Sequence, residues 1–175
     1  MAGLTRRELL LTLTGAAFAV QVPFQLAAAE PGKPLYFTKD EFATLDTLTE
    51  LIVPADDHSP GAREAGVAAY IDKTVAEAFL PEEKNSWRQG LAQVNELSRS
   101  MNDKLFNSAT PKEQVAVLTK MAQNEKSPKT PAEKFFTQLK QTTAFAYYSS
   151  SIGIHKDLNY KGNVLLMQFV GYNAT

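Results

Sequence analysis

Apolar residues recur at spacings of three and four along most of the chain after residue 37, with polar residues between them. This spacing follows the turn of a helix that buries one face. The second helix is expected over residues 66–80, because Pro81 ends the pattern. The first three predicted apolar faces are Phe42, Leu45, Leu48 and Ile52; Val67, Tyr70, Ile71, Val75, Ala78 and Phe79; and Trp87, Leu91, Val94, Leu97 and Met101.

Three tetrapeptides mark helix starts, namely Thr38-Lys39-Asp40-Glu41, Thr110-Pro111-Lys112-Glu113 and Thr130-Pro131-Ala132-Glu133. In each one a threonine caps the helix and a glutamate three residues later reaches back to it. In the last two a proline takes the first helical position, where its missing N–H costs nothing. These two starts predict a fourth helix with the apolar face Val115, Leu118 and Ala122, and a fifth with Phe135, Phe136, Leu139 and Phe145.

The predicted fold is all-α, a single small domain of about five helices over residues 30–175. A long alternating run of β-branched residues, which would predict a sheet, does not occur in the sequence. Residues 152–175 are harder to interpret, because a turn at residues 159–163 precedes the apolar run 164–167. We expect this tail to be irregular and to lie across the bundle.

The N-terminus has the features of an export signal. Arg6 and Arg7 directly precede a stretch without charged residues, from position 9 to position 29. This is the arrangement of a twin-arginine signal, and Ala27-Ala28-Ala29 offers a cleavage site for signal peptidase. We predict a signal peptide over residues 1–29, recognition by the twin-arginine translocase, and cleavage after Ala29. An uncleaved membrane anchor is the alternative.

Composition and charge exclude several classes of function. The chain has 175 residues, a formal net charge of -1, no cysteine and two histidines. Its basic residues are scattered among carboxylates, which argues against nucleic-acid binding. The absence of cysteine excludes disulfides and thiolate ligands, and His58 and His155 lack metal-ligand spacing. No cofactor or metal is therefore expected in this chain.

Residues 54–62 form the most polar loop, with Asp56-Asp57-His58 followed by Ser59. Carboxylates beside a histidine serve acid–base catalysis and metal binding. The same residue types are also the ordinary residues of tight turns. We interpret the loop as a turn or a partner contact. A free-standing periplasmic ligand-binding protein or hydrolase that uses Asp56, Asp57 and His58 is the alternative.

A second segment, residues 147–163, combines tyrosines with three serines at a predicted helix end. Serine hydroxyls suit a helix terminus whose last carbonyls need partners. His155 is expected to be exposed or capping, with haem ligation as the alternative. We predict that residues 56–62 and 147–163 contribute to one partner surface through the residues Asp56, Asp57, Ser59, Tyr148, Tyr160 and Asn163.

An ordered set of short motifs resembles the gluconate 2-dehydrogenase subunit 3 family. The first group is Leu51-Ile52-Val53-Pro54-Ala55-Asp56-Asp57, Ser59-Pro60-Gly61-Ala62, Ala65-Gly66-Val67 and Tyr70-Ile71-Asp72. The second group is Phe135-Phe136, Tyr147-Tyr148, Ser150, Ile152-Gly153 and Leu158-Asn159-Tyr160-Lys161-Gly162-Asn163. One departure is Ser151, where the family commonly has glutamate.

The resemblance implies a non-catalytic small subunit of a periplasmic sugar or sugar-acid dehydrogenase. The catalytic partner would be a flavoprotein of the glucose-methanol-choline class that holds FAD. A cytochrome c subunit often completes such complexes, so haem c or an iron–sulfur cluster is expected only in partner subunits. The resemblance also implies a chaperone-like role, in which the twin-arginine leader exports the flavoprotein together with this chain. The location would be the periplasm, peripheral to the inner membrane through the complex.

Overall fold

The structure is a computed structural model, which describes residues 33–160 and residue 162. Those residues contain five α-helices and no strand. The helices are α1 (Lys39–Ile52), α2 (Val67–Glu77), α3 (Pro81–Asn102), α4 (Pro111–Ala122) and α5 (Pro131–Tyr148). A short 3₁₀ turn spans Phe106–Ser108, and a π-helical turn spans Gly153–Asp157. The predicted all-α fold is confirmed.

The three helix starts read from the sequence are capping boxes in the structure. The Thr38 hydroxyl accepts from the Glu41 N–H at 3.2 Å, and the Glu41 carboxylate accepts from the Thr38 N–H at 2.8 Å. The same reciprocal pair begins α4 at Thr110 and α5 at Thr130. Each capping box satisfies two backbone N–H groups that would otherwise be unpaired. Because its residues are only three apart, these helix starts can be predicted from a short stretch of sequence.

Helix α5 is the centre of the bundle, because it packs against each of the other four helices. Helices α2 and α4 both contact α5 but share no extended contact with each other. Helices α3 and α5 pack closely at Gly90, where a Cβ atom would lie 2.0 Å from the Phe135 ring. Trp87 meets the same ring edge to face at 5.6 Å. The core includes Leu45, Leu48, Ile71, Leu91, Val94, Phe106, Val117, Met121, Leu139 and Tyr147.

The predicted second helix is too long at its C-terminal end. It ends at Glu77, because Pro81 is the first residue of α3 and the three residues before it form the connection. Phe79 in this connection is 94% exposed. Its predicted place on a buried face is therefore wrong.

Three further apolar residues lie at the surface instead of the core, namely Met101, Val115 and Phe145. In α4 the buried residues are Val117 and Met121, so the helix is rotated from the face that the sequence pattern predicted. Tyr70 is also exposed, and its ring lies 6.4 Å from that of Phe145. A helix with several apolar positions offers more than one stripe, and its neighbours decide which stripe is covered.

The segment before α1 is held to the bundle by a buried carboxylate that the sequence pattern does not single out. Asp72 on α2 is 2% exposed and accepts the backbone N–H groups of residues 35, 36 and 37. The Arg88 guanidinium lies 4.3 Å from the centre of the Tyr36 ring and donates to the Tyr36 carbonyl at 2.9 Å. These contacts fix where the chain enters the described domain.

Candidate partner-binding surface

The loop between α1 and α2 is shaped by Asp56. One carboxylate oxygen of Asp56 accepts the backbone N–H groups of Ser59 and His58, each at 2.8 Å. These two hydrogen bonds lower the pKa of Asp56, so the side chain is ionised at neutral pH. The carboxylate is therefore used by the turn itself, as aspartate is at the start of many turns.

A second carboxylate holds the base of this loop. Glu50 accepts the backbone N–H of Arg63 at 2.8 Å and that of Ala55 at 3.3 Å. A Cβ atom on Gly61 would lie within 2.6 Å of both the Glu50 carboxylate and the Ala55 nitrogen. Only glycine leaves room for this approach. No sequence pattern singles out Glu50.

Tyr147 at the end of α5 ties the loop to the bundle. Its side chain is 1% exposed, and its hydroxyl lies 2.7 Å from both the Ser59 hydroxyl and the Pro60 carbonyl. The single phenolic proton goes to the carbonyl, so the Ser59 hydroxyl donates to Tyr147. Tyr147, like Glu50, was not among the residues predicted for the surface, although it is adjacent to Tyr148.

The π-helical turn after α5 completes the junction. His58 Nε2 lies 3.0 Å from the carbonyl oxygen of Asp157 and 3.8 Å from its carboxylate. The charge of Asp157 and a hydrogen bond to it raise the pKa of the Tyr148 hydroxyl. Asp157 therefore lies between the loop histidine and the exposed tyrosine. Residues 56–62 and 147–158 are thereby joined into one continuous surface.

Three exposed aromatic residues lie beside this junction, and we call them the aromatic patch: Tyr70, Phe145 and Tyr148. Their exposed fractions are 42%, 64% and 46%. Phe145 and Tyr148 are three residues apart, which puts them on one face of α5. Exposed aromatics with a polar rim are typical of protein interfaces. Asp56 and Asp57 provide carboxylates in the adjoining loop.

The predicted surface residues differ in their availability. Asp56, Asp57 and Tyr148 are exposed, whereas Ser59 is 7% exposed and bonded to Tyr147. Tyr160 is 48% exposed, with its N–H bonded to the Ile154 carbonyl. Asn163, the remaining tail residues, and Arg6 and Arg7 of the predicted signal peptide lie outside the described residues. A partner contact by any of these side chains stays a prediction.

Two of the loop side chains considered for catalysis form hydrogen bonds to the backbone. The Asp56 carboxylate and the His58 ring are both bonded to backbone groups. Ser149 and Ser150 donate to carbonyls of the last turn of α5, at 2.7 and 2.6 Å, which is the capping use predicted for them. Within residues 33–160, no group of three or more His, Cys, Asp or Glu side chains is placed to hold a metal ion.

A cavity of about 360 Å³ lies at the other end of α5, between α3, α4 and the start of α5. Gln93, Lys120 and Glu133 line it, far from the Asp56 loop. No helix in the described part of the chain is long and apolar enough to span a bilayer.

The described domain is thus an all-helical domain with an aromatic surface beside two structured loops. The model of the gluconate 2-dehydrogenase subunit 3 family matches residues 39–164. The chain belongs to this family, as its motifs predicted. The family is described as a subunit of a dehydrogenase, which agrees with an accessory role. No curated protein and no solved structure shows a significant match to the chain.

Proposed function

We propose that this chain is the non-catalytic small subunit of a periplasmic, membrane-associated dehydrogenase whose large subunit is an FAD-dependent flavoprotein of the glucose-methanol-choline class. The family match over residues 39–164 is the observation that carries this proposal. The role of the chain is to support the co-export, folding or stability of the flavoprotein. A cytochrome c subunit is a further partner in the proposed complex.

The flavoprotein binds at the aromatic patch and the adjoining loop. Phe145, Tyr148 and Tyr70 are accessible without unfolding, whereas the core aromatics are committed to packing within the chain. The loop is held in one shape by Asp56, Glu50 and the Tyr147 hydroxyl before any partner arrives. A surface that is ordered in advance loses little conformational entropy on binding, which favours affinity.

The sequence of the leader supports export of the complex by the twin-arginine route. The twin-arginine route carries proteins that are already folded, and this chain has no cofactor motif of its own that would require folding before export. A bound flavoprotein that has already folded around FAD would explain why this route is used. The leader at Arg6 and Arg7 then serves both chains.

The interface is tested by replacing single aromatic residues and measuring co-purification with the flavoprotein. Phe145→Ala and Tyr148→Ala remove exposed rings, so the isolated chain should keep its helicity and melting temperature. Truncation of a central aromatic anchor costs about 2 kcal/mol, so affinity should fall about thirtyfold. Phe79→Ala is the matched control, because its ring is exposed but lies in the α2–α3 connection.

Wild-type affinity in both patch variants would show that the flavoprotein binds elsewhere. Equal losses in Phe79→Ala and the patch variants would mean that the effect is not specific to this surface. Oxidation of gluconate or another sugar by the purified chain alone, with an artificial electron acceptor, would refute the accessory role itself.

A further inference from the structure

Charge is distributed unevenly along the described chain. Residues 33–83 contain eleven acidic and four basic residues, whereas residues 84–160 contain eleven basic and six acidic ones. The division coincides with the first turn of α3. Helices α1 and α2 with their loop are therefore acidic, while the part from α3 onward is basic. The net charge of -1 conceals this separation.

Four lysines cluster where α4 connects to α5, and we call them the basic corner: Lys120, Lys126, Lys129 and Lys134. Lys120 is in the last turn of α4, Lys134 is in the first turn of α5, and the other two lie in the connection. All four are exposed, and none of their ammonium groups is within 4 Å of a carboxylate in the described residues. The Lys120 ammonium donates only to the neutral amide of Gln123.

The acidic residues near the basic corner do not neutralise it. Glu125 is paired with Lys140 at 2.7 Å. Glu133 is 8% exposed, and it accepts the backbone N–H groups of residues 129 and 130 and the side-chain amide of Asn124. Glu96 lines the same cavity as Lys120 but forms no ion pair with it. The corner therefore presents a net positive surface.

The basic corner and the aromatic patch lie at opposite ends of α5. The helix begins at Pro131, beside the corner, and ends at Tyr148, within the patch. Its 18 residues span about 27 Å at 1.5 Å per residue. The two surfaces are therefore separate, and contact with the patch does not require contact with the basic corner.

The composition of the corner favours a lipid surface over a protein. Its cations are all lysines, and no large apolar side chain between residues 120 and 134 is exposed. Protein interfaces are enriched in arginine and aromatic residues and depleted in lysine. A cluster of four or more lysines instead suits the diffuse negative charge of anionic phospholipids.

We propose that the basic corner contacts the headgroups of an anionic phospholipid membrane. Membrane contact is thereby an activity of this chain itself and goes beyond the proposed function, because it does not require the flavoprotein. The distance along α5 then directs the aromatic patch away from the lipid. Only this orientation of the complex rests on the proposed function.

The test measures binding of the purified full chain to sedimented vesicles. One set contains phosphatidylglycerol and phosphatidylcholine, and the other contains phosphatidylcholine alone. The test variant changes all four lysines of the basic corner to glutamine. The control changes four other exposed lysines that make no ion pair or side-chain hydrogen bond in the described residues, Lys33, Lys39, Lys112 and Lys156, and so alters net charge equally. The leader contributes equally to every chain compared.

Wild type should prefer the anionic vesicles at low salt, although the chain is negative overall. Each lysine near an anionic surface strengthens the partitioning of a protein onto the membrane about fivefold. The affinity of the corner variant for anionic vesicles should therefore be at least about tenfold lower than that of wild type. The control should bind as wild type does. Raising the salt concentration should remove the difference in vesicle binding between wild type and the corner variant. Inorganic phosphate should compete no better than a neutral salt of equal ionic strength.

Equal losses in the control and the corner variant would mean that only net charge matters, and would overturn the proposal. Equal binding of wild type to both vesicle types would overturn it as well. A third result would do the same: unchanged vesicle binding in the corner variant together with lost co-purification of the flavoprotein. That result would assign the corner to a protein interface. Normal vesicle binding together with wild-type co-purification in the aromatic-patch variants would refute only the proposed flavoprotein interface, and normal vesicle binding together with sugar oxidation by the purified chain alone would refute only the proposed accessory role.

Discussion

Tyr147→Phe is the sharpest test of how the α1–α2 loop is held. The substitution removes only a hydroxyl, because the ring is 1% exposed and keeps its packing. That hydroxyl bonds to Ser59 and to the Pro60 carbonyl at 2.7 Å each. In its absence the Ser59 hydroxyl has only the Pro60 carbonyl, at 3.4 Å, as a substitute.

The expected loss of stability follows from these two bonds. Burying a polar group without its partner costs about 1–3 kcal/mol, and no cavity larger than an oxygen atom is created. The melting temperature should therefore fall by several degrees for a domain of this size. Urea denaturation should show a lower midpoint with an unchanged slope, because the surface exposed on unfolding stays the same.

Tyr148→Phe is the matched control. Tyr148 is next to Tyr147 in the chain, but its side chain is 46% exposed. Removal of the Tyr148 hydroxyl should therefore change the free energy of unfolding by no more than about 0.5 kcal/mol. If the loop is part of the interface, Tyr147→Phe should also weaken co-purification of the flavoprotein more than Tyr148→Phe does. Equal stability of Tyr147→Phe and wild type would refute the reasoning that this hydroxyl holds the loop.

Two further predictions concern the leader and a helix cap. Arg6→Lys Arg7→Lys should retain both this chain and the flavoprotein in the cytoplasm, and normal periplasmic flavoprotein activity would remove co-export while leaving the interface intact. Hydrogen bonds from Thr130, Asn124 and Lys129 lower the pKa of Glu133 to about 2. The ionised carboxylate therefore contributes its full stabilisation above the usual pKa of a glutamate, and this contribution is lost as the pH falls toward about 2. Glu133→Gln keeps a capping side chain but removes the charge, so the free energy of unfolding of this variant should fall less than that of wild type between about pH 5 and pH 2. Parallel curves of unfolding free energy against pH for the two proteins would contradict this role of the Glu133 charge.

Much of the candidate surface could be located from the sequence. Which of its residues are buried and hydrogen-bonded to each other could not. Turn residues at 54–62 and the polar segment after Tyr147 are local signals, and the structure brings both segments together. The residue types of the two segments predict contacts by Ser59 and Tyr148 but do not single out Tyr147. In the structure Ser59 and Tyr147 are the buried pair, although they are 88 residues apart in the chain. No local pattern reports a hydrogen bond over that separation.

The all-α class of this protein and the three capped helix starts are properties of the sequence itself. Capping boxes involve residues three apart, and the apolar period involves neighbours on one helix, so both are complete within a short segment. The tertiary structure alone decided which apolar face is buried. Val117 replaced Val115 in the core, and Phe145 remained at the surface, because α5 has neighbours on several sides that cover some stripes and leave others open. The same long-range packing turned Asp72 into an anchor for residues 35–37 and placed the aromatic patch and the basic corner at opposite ends of α5, a helix about 27 Å long.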